Sequence, residues 1–139
     1  MEDSITICAR LSEITSVREF VETRGERAGL DAKAVHHCQL VCDEACTNII
    51  EHGYGRECDD EVIHVACVQK PGRFTIVITD DSAPFDPLNQ TLPDPTTGLA
   101  KREEGGWGIY FMTTLMDDVT YDYNDGRNRL TLIKSLPEK

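Results

Sequence analysis

Apolar residues recur along this chain with a period near two in some stretches and near 3.6 in others, and the switches between the two divide it into elements. Residues 5–11 alternate weakly and predict a strand. Ile14, Val17, Phe20 and Val21 fall on one stripe of a helix that Ser12 would cap and that runs to about Gly25–Gly29. Asp31 is suited to cap a second helix reaching His52, with Gly53 as its left-handed stop. Residues 61–69 and 73–80 are β-rich and flank Lys70-Pro71-Gly72-Arg73, which predicts a hairpin. The stretch 81–104 holds Pro84, Pro87, Pro93 and Pro95 and no helical periodicity, so it is expected to be a long loop. A helix from about Gly106 to Met116 and two strands, 119–123 and 128–134, turning at Asp125-Gly126, close the pattern. The order mixes α and β without internal repeats.

Composition narrows the classes. A chain of 139 residues is near single-domain size and can bury a core. Fourteen basic against 25 acidic side chains give a net charge of −11, which argues against nucleic acid or an anionic membrane as the main partner. A local nest of backbone N–H groups can still bind phosphate at that charge. No apolar run approaches the ~20 residues that span a bilayer. Met1-Glu2-Asp3-Ser4 is acidic where a secretory signal would be basic, so a cytoplasmic location is expected.

Of six cysteines, Cys38, Cys42 and Cys46 recur every fourth residue on the second helix, on the side opposite Glu44. Without Cys-x-x-Cys or paired Cys/His spacing, they are expected to pack in the core rather than hold a metal.

The chemistry centres on Glu44 and Asn48, one helical turn apart and therefore on one face. A carboxamide oxygen is a hard ligand for magnesium, and a carboxylate can accept a proton. Such a pair on its own is usually no more than a solvated helix surface. Two later segments accompany it: Thr79-Asp80-Asp81-Ser82-Ala83-Pro84-Phe85-Asp86-Pro87, and Gly105-Gly106-Trp107-Gly108-Ile109-Tyr110-Phe111-Met112. Glycines entering a helix permit close approach of backbone to a ligand, and the free N–H groups of the first turn favour phosphate.

The three segments together resemble the GHKL ATPase superfamily, and within it the bacterial anti-sigma-factor serine kinases of the RsbW-like group. Asp43 to Tyr54 is similar to that family's N-box, 80–87 to its first glycine box, and 105–112 to its second. The resemblance covers nearly the whole chain. It implies a single 1–139 domain, an α/β (α+β) two-layer sandwich whose mixed, largely antiparallel sheet carries helices on one face, with an ATP lid at about 86–105. Glu44 would be the general base and Asn48 the Mg²⁺ ligand. Asp80 would read adenine, since a carboxylate accepts from an exocyclic amino group. Gly105, Gly106 and Gly108 would form the phosphate nest. His52, Ser82, Phe85, Lys101, Arg102, Trp107 and Thr131 would complete the ATP site, Lys101 and Arg102 reaching the phosphates from the lid. The implied activity is ATP-dependent phosphorylation of a serine on an antagonist protein, by a protein that also sequesters an RNA polymerase sigma factor and forms a homodimer.

At Ser82 the chain departs from the family pattern, which has glycine there. A Cβ where backbone and purine approach closely is expected to weaken nucleotide binding. That departure keeps open a second reading, an ATP-binding regulatory module that holds a partner without phosphoryl transfer.

Overall fold

The computed structural model describes residues 2–84 and 112–136. Its elements are β1 (Glu2–Ala9), a 3₁₀ turn (Leu11–Glu13), α1 (Ile14–Ala28), α2 (Ala32–Asn48), a π-helical turn (Ile49–Gly53), β2 (Cys58–Lys70), β3 (Arg73–Asp80), β4 (Asp118–Asn124) and β5 (Arg127–Ser135). Residues 112–115 are also helical. The predicted lid and most of the helix expected from Gly106 lie outside the described residues. So do Phe85, Lys101, Arg102, Gly105, Gly106, Trp107 and Gly108.

The strands form one sheet in the order β1-β2-β3-β5-β4, with every neighbouring pair antiparallel. Alternation along the strands sends Ile63, Val65, Phe74, Ile76, Ile78, Leu130 and Leu132 to one face, where all are buried. The helices cover that face with the predicted stripe Ile14, Val17, Phe20 and Val21 and with Val35, Val41, Ile49 and Ile50, giving a two-layer sandwich around one core. Each large aliphatic side chain so buried contributes about 1.5–3 kcal/mol against exposure. Cys38, Cys42 and Cys46 lie in this core, as their spacing predicts. All six cysteines are free, and among the described residues no His/Cys/Asp/Glu group could hold a metal.

Local chemistry sets the ends. Asp31 caps α2 by accepting from the Ala34 N–H at 2.8 Å, and Gly29 closes α1 at φ 103°. Pro71-Gly72 turns β2 into β3, with Gly72 at φ 79°. Asp125 and Gly126, both at positive φ, make the β4–β5 turn.

Several boundaries differ from expectation, β1 starting at Glu2 and β2 at Cys58. The first strand stops at Ala9, because Arg10 and Leu11 already turn toward α1 and the Leu11 N–H bonds to Glu57. Ser12 is not a cap: it lies inside the 3₁₀ turn, and α1 begins at Ile14 with no side-chain cap. Gly53 is not a left-handed stop. The chain passes it through the π turn, and Gly55, at φ 83°, is the residue that needs glycine's freedom. No described helix is long and apolar enough to cross a membrane.

Candidate active site

At the C-terminal end of α2 the helix widens into a π turn immediately after Asn48, the Tyr54 N–H reaching back to the Ile49 carbonyl at 2.8 Å. Such turns swing the following residues off the helical path and are frequent at functional sites. Here the swing brings Gly53 against Ser82, just past the end of β3. Tyr54 fastens the two elements: its hydroxyl donates to the Val62 carbonyl at 2.7 Å and accepts from the Asp81 N–H at 3.0 Å.

Between them opens a cleft with a mostly apolar lining that includes Ala45, Ile49, Ile78, Met112 and Leu130. Its polar groups are Asn48, Asp80, Ser82, Tyr121 and Asn128. Asn48, Asp80, Ser82 and Asn128 are only 7, 3, 6 and 4 % exposed, and they are the buried polar residues of the described fold. An apolar slot with a few convergent polar groups is the usual form of a small-molecule site.

Asp80 ends β3 and pairs in register with Asn128 on β5, so both side chains stand on the helix-facing side. Its Oδ1 accepts from the Ser82 N–H at 2.9 Å, from the Ser82 hydroxyl, and from Asn128 Nδ2 at 3.2 Å. No described residue donates to Oδ2. Asn128 Oδ1 in turn accepts from the Tyr121 hydroxyl.

Asn48 lines the same cleft, and among the described residues nothing hydrogen-bonds to its carboxamide. A nearly buried amide without a protein partner fits a ligand-binding oxygen, and its donor type suits Mg²⁺. Glu44, one turn back on α2, is half-buried and is not among the residues lining the cleft. Burial raises its pKa above the ordinary carboxylate value, Glu51 and Asp43 add to the rise, and His52 opposes it. A carboxylate raised in this way is a stronger base when ionised.

Of the site residues named from the sequence, Asn48, Asp80 and Ser82 meet in the cleft, and Glu44 lies one helical turn before Asn48 without lining the cleft. His52 is exposed on the π turn and does not line the cleft. Thr131 is displaced to the other side of the sheet: strand side chains alternate, and three positions from Asn128 it faces away from the helices, opposite Val77. Asn128, Tyr121 and Gly53 are the cleft residues missed. Only the cross-strand register and the π turn bring them in.

The fold is an α+β sandwich with an apolar cleft between its helices and sheet. A family model described as the histidine kinase-like ATPase domain matches residues 7–134. The serine-protein kinase RsbW of Bacillus pumilus is 31 % identical over 125 residues, covering 86 % of this chain and 77 % of that protein. The RsbW of Bacillus velezensis is 34 % identical over 114 residues, 79 % and 71 % of the two chains. The serine/threonine-protein kinase BtrW of Bordetella bronchiseptica is 27 % identical over 137 residues, 98 % and 96 % of the two. A crystal structure of the RsbU and RsbW domains of Rv1364c from Mycobacterium tuberculosis superposes with a TM-score of 0.69 at 18 % identity, matching all of this chain and 34 % of that one. The chain belongs to the histidine kinase-like ATPase domain family, among its RsbW-type serine-protein kinases.

Proposed function

We propose that this protein is an ATP-dependent protein serine kinase and anti-sigma factor that phosphorylates an antagonist protein in a partner-switching pathway. The observation that carries the reading is the joining of Asp80 and Asn48 in one cleft, with Glu44 one helical turn from Asn48. In this reading the adenine lies against Ile78, Met112 and Leu130, and its amino group donates to Asp80. Asn48 would hold Mg²⁺ through its carboxamide oxygen, and the ion would supply neutralisation of phosphate charge. Glu44 takes the proton from an acceptor serine hydroxyl. That oxygen bonds to the γ-phosphorus as the bond to the bridging β–γ oxygen breaks, leaving ADP.

The partners are an anti-sigma-antagonist protein and an RNA polymerase sigma factor, both met in the cytoplasm. A second copy of the chain is also expected. The side of the sheet that no described helix covers supports this, because Ser4, Ala66, Val77, Thr131 and Thr120 lie in register across all five strands as an uncharged row. A face of this kind suits sheet-on-sheet packing.

The test incubates the protein with γ-labelled ATP, Mg²⁺ and an antagonist of this type. Label on an antagonist serine, lost with Glu44→Gln, is the expected result. ATP binding with no transfer to any antagonist would leave only the regulatory-module reading.

A further inference from the structure

The serine at position 82, which should crowd a purine, is occupied instead in a hydrogen-bonded group that grips Asp80. We infer that Tyr121, Asn128 and Ser82 are positioning residues that hold Asp80 with a single oxygen presented to the base, and so set the preference for a six-amino purine. The inference rests on the nucleotide reading of the cleft and deepens it.

The geometry begins with Asn128. Its Nδ2 lies 3.2 Å from Asp80 Oδ1, 3.1 Å from the Ser82 carbonyl, 3.1 Å from Ser82 Oγ and 3.1 Å from the Ala83 carbonyl. An amide nitrogen has two hydrogens, so these contacts are shared among acceptors crowded on one side. Rotating the amide by 180° would set its oxygen against two carbonyls and a carboxylate. The Tyr121 hydroxyl, donating to Asn128 Oδ1 on the other side, holds the same orientation. Tyr121 stands diagonally across β4 and β5 from Asn128, within reach in an antiparallel pair.

Ser82 completes the grip. Its N–H and its hydroxyl both donate to Asp80 Oδ1, and its Oγ lies within reach of the Asn128 amide. Three donors therefore converge on Oδ1, enough to saturate one carboxylate oxygen. Oδ2 has no donor among the described residues, although Asp80 is almost completely buried and lines the cleft. A carboxylate oxygen in that state, on a residue lining the cleft, can accept from a ligand donor. An exocyclic amino group supplies one, whereas a purine without it leaves the oxygen unpaired.

The experiment compares Mg·ATP with the Mg-triphosphate of purine riboside, which lacks the six-amino group, by calorimetry. The proteins are the unmodified chain, Ser82→Gly, Asn128→Ala and Tyr121→Phe. The expected preference of the unmodified chain for ATP is about tenfold or more, with each variant reducing it while affinity for the analogue holds. A variant that weakens both ligands equally assigns its residue to fold support and overturns the inference, as does a preference that survives all three changes. An unmodified chain that binds both equally overturns it while the nucleotide reading stands. Failure to bind either ligand removes that reading, and this one with it.

Discussion

A methyl group added to Gly53 would lie 2.7 Å from the Ser82 hydroxyl oxygen and 3.2 Å from its Cβ. The glycine at the end of the π turn and the serine past β3 are thus fitted to each other, and the serine cannot turn away without releasing Asp80. Gly53→Ala is expected to destabilise the fold by about 1–3 kcal/mol, the usual cost of overpacking. In a Ser82→Gly background the same change is expected to cost much less, because the contacted atoms are gone. Urea unfolding of the four proteins forms a double-mutant cycle, and strict additivity would show that the two residues do not meet.

Glu44 sits where its charge is disfavoured by burial and by Glu51 and Asp43. Its folded pKa is raised, so its contribution to stability is present below the unfolded carboxylate value and lost as pH rises through the folded one. At neutral pH the ionised side chain therefore opposes folding. Glu44→Gln is expected to cut phosphoryl transfer by about 10²–10⁴-fold. Its thermal midpoint at pH 7.5 should equal or exceed that of the unmodified chain. A clearly lower midpoint would make Glu44 a structural residue, and the kinetic loss could then not be assigned to proton transfer.

Much of the fold was legible because local signals agreed with the global arrangement. The stripe in α1, the Asp31 cap, the Pro71-Gly72 hairpin and the cysteine face of α2 each follow from spacing along one element. What escaped depends on relations between elements. Asn128 and Thr131 read alike on a strand, and only the pairing of Asp80 with Asn128 decides which enters the cleft. Gly53 looked like a helix stop because glycine after a helix usually is one. Its real constraint is the nearness of Ser82. The contact of Ser82 with Asp80, through both its N–H and its hydroxyl, is likewise a relation that spacing along one element does not announce.

The four cysteines between α2 and the sheet behave as core residues. Burial pushes the Cys38 thiol up to about 11, Cys46 and Cys67 up to about 12, and Cys42 well above its ordinary value. Since the thiolate is the reactive form, these four should resist a thiol reagent at pH 8 until the protein unfolds, while the partly exposed Cys8 reacts first. Cys42→Ser places a hydroxyl in an apolar site and is expected to cost about 1–3 kcal/mol. Mass spectrometry of partially labelled native protein reads the order directly. Early labelling of Cys42 would show that the core opens there.

His37 on α2 faces Lys134 of β5, its Nδ1 lying 3.3 Å from the ammonium nitrogen. Burial lowers its pKa from 6.5, Lys134, Lys33 and His36 lower it further, and Asp31 alone opposes them. The folded chain therefore holds fewer protons at this site than the unfolded chain as pH falls past 6.5. Stability from this group is complete above that value and is lost as pH drops through the lower folded pKa. His37→Gln keeps a polar side chain and removes the titration. Urea midpoints at pH 7.5 and 5.5 should then fall less in the variant than in the unmodified chain, with the slope m unchanged. Equal falls in the two proteins would assign the acid loss of stability to other groups and leave His37 a neutral packing residue throughout.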